Sequence, residues 1–146
     1  TSRKNDVTFH VAGYKKENEK SISKTRNFLL SKIESKYFTF FDSDDYAEPT
    51  YIETLYNLIK NNDADVAICG TSLKHFDEKF VMNNETAIET LLWRKYYNVG
   101  FPTKLIKKEL FNENRFLEST KYDDIWFEGE ATQFGKLANE DYWNWL

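Results

Sequence analysis

The chain is expected to adopt an α/β fold, a mostly parallel sheet flanked by helices, and three observations predict it. Short apolar runs alternate with amphipathic stretches, and polar or turn-forming residues bound each run. A run that is apolar at almost every position is followed directly by acids, as at the end of a strand covered on both faces. The order strand, helix, strand, helix, strand is the one that right-handed crossovers convert into parallel pairing.

The elements follow in order. Residues 7–11, Val-Thr-Phe-His-Val, read as a short strand, and the lysine- and glutamate-rich stretch through Lys20 reads as a solvated loop. From Ser21 or Ser23, either of which suits a cap, Ile22, Leu29, Leu30 and Ile33 recur at helical spacing, which predicts a helix ending near Ser35. Residues 37–41, Tyr-Phe-Thr-Phe-Phe, predict a buried strand whose carboxyl end carries Asp42-Ser43-Asp44-Asp45. Pro49 suits the first turn of a helix with Ile52, Leu55, Tyr56 and Ile59 on one face, stopped by Asn61-Asn62-Asp63. Residues 65–69 predict another strand, closed by Gly70, and residues 85–97 an amphipathic helix behind an asparagine cap. Residues 101–106 predict a strand, residues 107–111 a short helical turn, and Tyr122-Asp123-Asp124-Ile125-Trp126-Phe127 sets two acids among bulky apolar groups.

With 146 residues, 40% of them hydrophobic, and neither repeat nor Pro/Gly-rich linker, a single domain over residues 1–146 is expected. A net charge of -4 with scattered lysines and arginines offers no stripe to follow a phosphate backbone, which argues against nucleic acid. Cys69 is the only cysteine, so an intrachain disulfide is excluded. That usage points to a reducing, cytoplasmic setting, compatible with peripheral attachment to a membrane. No apolar run is long enough to span a bilayer. His10 and His75 have no second ligand at metal spacing.

Three carboxylates within four residues repel one another unless a cation lies between them, and hard oxygen ligands select magnesium, manganese or calcium. The plain alternative is an exposed acidic turn that caps the following helix. A calcium loop with Asp42, Asp44 and Glu53 at its first, third and twelfth positions is disfavoured, because Ala47 replaces the required glycine and Tyr46 the fifth ligand. A strand followed by Asp-x-Asp also resembles the haloacid dehalogenase-like phosphatases. That resemblance implies Asp42 as nucleophile, Asp44 as acid/base and Asp123-Asp124 as magnesium-binding acids. Against it, Tyr46 stands where that family has threonine or valine, and the acid-bearing strand is not the first.

A third resemblance covers more of the chain. Ile22-Ser23-Lys24-Thr25-Arg26-Asn27, the strand ending in Asp42-Ser43-Asp44-Asp45, Pro49-Thr50-Tyr51-Ile52, and then Lys104-Leu105-Ile106-Lys107-Lys108-Glu109-Leu110-Phe111, Arg115-Phe116 and Tyr122-Asp123-Asp124-Ile125 together resemble family 2 glycosyltransferases. The resemblance implies a GT-A, nucleotide-diphospho-sugar transferase-like fold. It also implies transfer of a sugar, usually with inversion, from a nucleotide-sugar donor to an acceptor hydroxyl. Asp44 and Asp45, with Asp42, are then the expected ligands of Mn2+ or Mg2+, and Arg26 is expected to contact the donor nucleotide. Asp124, or Asp123 in its place, is the expected base, and Lys104 pairs with a phosphate or with these acids. Bacterial surface polysaccharide synthesis, on a glycan or lipid-linked acceptor, is the expected setting. Only about one strand precedes Ile22, where family members have two, and Ser21 replaces a preferred glycine. The domain is therefore expected to be partial, and a non-catalytic remnant that acts in assembly is the further alternative.

Overall fold

A computed structural model of the protein describes residues 7–13, 22–72, 79–93, 101–112, 115–116 and 127–128. Its centre is a three-stranded sheet made of β1 (Tyr37–Phe38), β2 (Val66–Ile68) and β3 (Lys104–Lys107), in the order β1-β3-β2. Both ladders are antiparallel: Tyr37 lies opposite Lys107, and Val66, Ala67 and Ile68 lie opposite Ile106, Leu105 and Lys104. The expected parallel pairing is not found in these ladders. Since β1 and β2 each oppose β3, they run in the same direction, as the crossover rule requires. They are not neighbours, because β3 is inserted between them. The coarse α/β class holds; the ladders among the described residues are antiparallel.

Alternate residues of each strand enter different layers, following the two-residue period of the pleat. Phe38, Val66, Ile68 and Ile106 join one buried cluster with Leu30, Ala87, Leu91, Phe101, Phe111 and Phe116. Ala67 and Leu105 face the opposite cluster with Leu55, Ile59 and Ala64. The sheet is thus covered on both faces, which explains why β1 and β2 read as continuous apolar runs.

The second cluster rests on α2 (Tyr51–Asn61), which connects β1 to β2. Leu55 and Ile59 are fully buried at the expected i, i+4 spacing, whereas Tyr56 stays 45% exposed. Truncating Leu55 to alanine would cost about 2–5 kcal/mol through lost burial and the cavity left behind. The helix ends where Asp63 takes a positive φ of 46°, letting the Ala64 N–H reach back to the Ile59 carbonyl at 3.0 Å. The other face is covered by α1 (Ile22–Lys32) and α3 (Asn84–Leu92). Asn83 caps α3 as expected, its side chain accepting the Thr86 N–H at 2.9 Å. In α1 the buried residues are Ser23, Arg26 and Leu30. Ser23 is therefore an interior residue rather than a cap, and Ile22 is 52% exposed. Ser21 lies outside the described residues.

Residues 7–11 carry no strand: Phe9 is 84% and Val11 94% exposed. Strand propensity acts only where a neighbour supplies hydrogen bonds and cover, and no described element does so here. After β3, a 3-10 turn over Lys108–Phe111 leads towards β4 (Arg115–Phe116), which pairs antiparallel with β5 (Phe127–Glu128).

Candidate functional site

Because β1 and β2 point the same way, their carboxyl ends lie on one side of the sheet, where open α/β sheets usually bind ligands. The acidic segment leaves β1 on that side. The Asp45 N–H donates to the Asp42 carbonyl at 3.1 Å, closing a turn on which Asp42, Asp44 and Asp45 are all exposed. None of the three lies in the first turn of α2, whose acid is Glu53, and Thr50 makes no side-chain cap bond. The acids are therefore not the cap of that helix.

The far end of the acidic loop is fixed to the sheet. The Tyr51 N–H donates to the Glu48 carbonyl at 2.9 Å, and the Tyr51 hydroxyl lies 3.1 Å from Thr39 Oγ1, just past β1. The Phe41 ring leans on the Tyr51 ring at 6.3 Å. Burial pushes the Tyr51 phenol above its ordinary pKa. The Thr39 bond pulls it back, Cys69 raises it, a Thr103 backbone hydrogen bond lowers it and the Asp45 charge raises it. The phenol thus senses four segments: the end of β1, the residue after β2, the turn before β3 and the acidic turn. Cys69 donates its N–H to the Thr103 carbonyl at 3.0 Å. Burial pushes its thiol up, against the opposing effects of its own backbone and of Lys104. Lys104 is only 4% exposed.

Arg26 is 8% exposed and therefore buried rather than on the surface. Its guanidinium carbon stands 5.6 Å from the Phe40 ring, 5.3 Å from Phe101 and 5.5 Å from Phe116, a three-sided aromatic enclosure. Phe40 comes two residues before Asp42, so the enclosure joins α1 to the segment that leads into the acidic turn.

Among the described residues no three His, Cys, Asp or Glu side chains form a ready metal cage. Magnesium commonly takes only one or two carboxylates and completes its shell with water and phosphate oxygens, so the donor set of this turn suits such an ion. Asp123 and Asp124 belong to the segment connecting β4 to β5 and lie outside the described residues. The structure therefore joins the acidic turn and Arg26 at one end of the sheet, and adds Thr39, Tyr51 and Cys69. Tyr51 enters the sequence reading only within a motif match, and Cys69 only as the lone cysteine in an apolar strand, with no role at the site. Their partners are distant in sequence, and no local pattern marks them.

Among the described residues no helix is long and apolar enough to cross a membrane. Comparison with known proteins bears on the chemistry. The glycosyltransferase GlyG of Streptococcus pneumoniae serotype 4 is 33% identical over 144 residues, covering 85% of this chain and 46% of GlyG. The glycosyltransferase GlyA of the same organism is 28% identical over 144 residues, covering 92% of this chain and 20% of GlyA. The chain thus spans less than half the length of either relative. A family model, glycosyl transferase family 2, matches residues 8–123, a span that holds Arg26 and the whole acidic turn and displaces the phosphatase alternative. This chain belongs to glycosyl transferase family 2.

Proposed function

We propose that the protein transfers a sugar from a nucleotide-sugar donor to an acceptor hydroxyl, with inversion and with Mn2+ or Mg2+ held by the acidic turn. The observation that carries this reading is the set of three exposed carboxylates on one closed turn at the carboxyl end of β1, inside the matched family span. Asp44 and Asp45 are the direct ligands, and Asp42, whose carbonyl already closes the turn, binds directly or through water. A divalent ion, when bound, supplies positive charge to the diphosphate that departs from the sugar. Arg26 adds a fixed positive field, since its burial leaves little of its surface for direct contact. Inversion needs a base on the acceptor side of the sugar, and Asp124, or Asp123 beside it, removes the acceptor proton. The acceptor is a glycan or lipid-linked sugar of bacterial surface polysaccharide, in keeping with the bacterial source of the named relatives.

Calorimetry with UDP- and GDP-sugars, with and without Mn2+, tests the reading. Binding is expected only with metal, and Asp44→Ala and Asp45→Ala are expected to abolish it. Equal binding by the wild type and both variants would remove the proposed site.

A further inference from the structure

We infer that Tyr51 is a positioning residue for the metal-binding turn, holding the loop that carries Asp44 and Asp45 against the end of β1 through its hydroxyl bond to Thr39. This inference rests on the glycosyl-transfer reading and deepens it. Between the end of β1 and the start of α2 the chain runs through Phe41, the acidic turn and Glu48, and Asp42, Asp44 and Asp45 are all exposed. The turn is closed on itself by the 3.1 Å bond from the Asp45 N–H to the Asp42 carbonyl. Solvated carboxylates on such a loop would lose much of their affinity in being ordered around an ion, so the loop needs an external anchor.

Tyr51 supplies that anchor at the loop's far end. Its amide takes the Glu48 carbonyl at 2.9 Å, its ring receives Phe41, and its hydroxyl reaches Thr39 at 3.1 Å. The Thr103 backbone acts on the phenol as well, lowering its pKa. Thr103 is a β-branched residue at φ 76°, a conformation such residues rarely adopt, and its carbonyl accepts the Cys69 N–H at 3.0 Å. Strained backbone of this kind persists where surrounding contacts over-determine it, and it gathers at functional sites. The phenol is therefore tied to Thr39 just past β1, while its own helix begins where the acidic loop ends. Tyr51 touches neither metal nor sugar; it acts through the turn, as groups behind metal ligands do.

The test is a Mn2+ titration of the intact protein, read by electron paramagnetic resonance of free Mn2+, with saturating UDP and separately with GDP. Tyr51→Phe removes only the hydroxyl, and Thr39→Val removes its partner. Each is expected to weaken Mn2+ binding about tenfold, within the range for groups that orient metal ligands. The double variant should be no weaker than either single one. Thr39→Ser keeps the hydroxyl and should bind as the wild type does, which a purely packing role for Thr39 would not produce. Wild-type Mn2+ affinity in Tyr51→Phe, with affinity lost in Asp45→Ala, would overturn the inference and leave the functional reading standing. Unchanged affinity in Asp44→Ala and Asp45→Ala would overturn both.

Discussion

Asn27 and Phe116 exchange two hydrogen bonds: the Asn27 amide donates to the Phe116 carbonyl at 2.9 Å, and the Phe116 N–H donates to Asn27 Oδ1 at 2.9 Å. A side-chain amide thereby behaves like a strand residue and satisfies both polar groups of a backbone whose side chain is fully buried. The pair ties α1 to β4, and the chain from β4 leads on to Asp123 and Asp124. Arg26, one residue earlier, is enclosed by Phe116 and two other rings. Two consecutive residues of α1 therefore connect the strand bearing the acidic turn to the strand that precedes the acid pair.

Asn27→Asp should be disproportionately harmful for so small a change. The carboxylate still accepts the Phe116 N–H but has no hydrogen to give, so it faces the Phe116 carbonyl oxygen to oxygen. An unsatisfied, partly buried carbonyl costs about 1–3 kcal/mol, and a loss of that size is expected in urea unfolding at neutral pH. A loss below the error of the midpoint would show that water replaces the amide freely.

Arg26→Lys tests the aromatic enclosure. Lysine keeps the charge but offers a compact, strongly hydrated ammonium in place of a plane that can lie on rings. A desolvated cation–π contact is worth up to about 2 kcal/mol, so Arg26→Lys is expected to cost about 1–2 kcal/mol in the same unfolding measurement. Were Arg26 a solvated surface charge, lysine would be neutral.

Local periodicity was enough to read those parts of the molecule that local physics decides. Leu55 and Ile59 mark the buried side of α2, residues 66–68 are buried on both faces, and Asn83 caps α3. The acidic turn was likewise placed at a strand's carboxyl end, because an apolar run followed by acids allows little else. Strand order was not legible: Tyr37 opposite Lys107 is a pairing between distant segments, and nothing near either residue announces it. The buried side of α1 is legible only in part, for a related reason: Leu30 is buried and Leu29 and Ile33 pack against the same cluster, but Ile22 is exposed. The inward positions of α1 include Ser23 and Arg26, and a buried arginine is comprehensible only once Phe40, Phe101 and Phe116 have been brought around it.

Among the described residues, two outside glycine have positive φ, Asp63 at 46° and Thr103 at 76°. Aspartate tolerates this region and threonine, being β-branched, does not. Glycine removes the strain at either site but adds flexibility to the unfolded chain, worth roughly 0.5–1 kcal/mol the other way. Thr103→Gly should therefore stabilise by about 1 kcal/mol, whereas Asp63→Gly should be nearly neutral. Thermal unfolding of both variants checks the contrast, and an equal response would mean that the branch at Thr103 carries no strain.

Alkaline pH should unfold the protein earlier than exposed groups alone would predict. The Tyr51 phenol and the Cys69 thiol are pushed up by burial. For Lys107 burial acts downward, but its hydrogen bond to Asp65 and the charges of Asp65, Asp63 and Glu109 outweigh it, so its pKa also rises. A group whose folded pKa is raised holds its proton longer in the native state. Its stabilisation is fully present below the unfolded pKa and is lost as pH climbs through the folded one. Lys108 acts oppositely, its pKa lowered by burial and by Arg115, so charging it disfavours the fold and its penalty fades as pH rises. Unfolded values lie near about 8.5 for cysteine and about 10 for tyrosine and lysine. The urea midpoint should thus stay level to about pH 8 and fall beyond it. Cys69→Ala should delay the onset of the fall, and Tyr51→Phe should shrink it above about pH 10. A midpoint that falls equally in the wild type and both variants would place the alkaline sensitivity elsewhere.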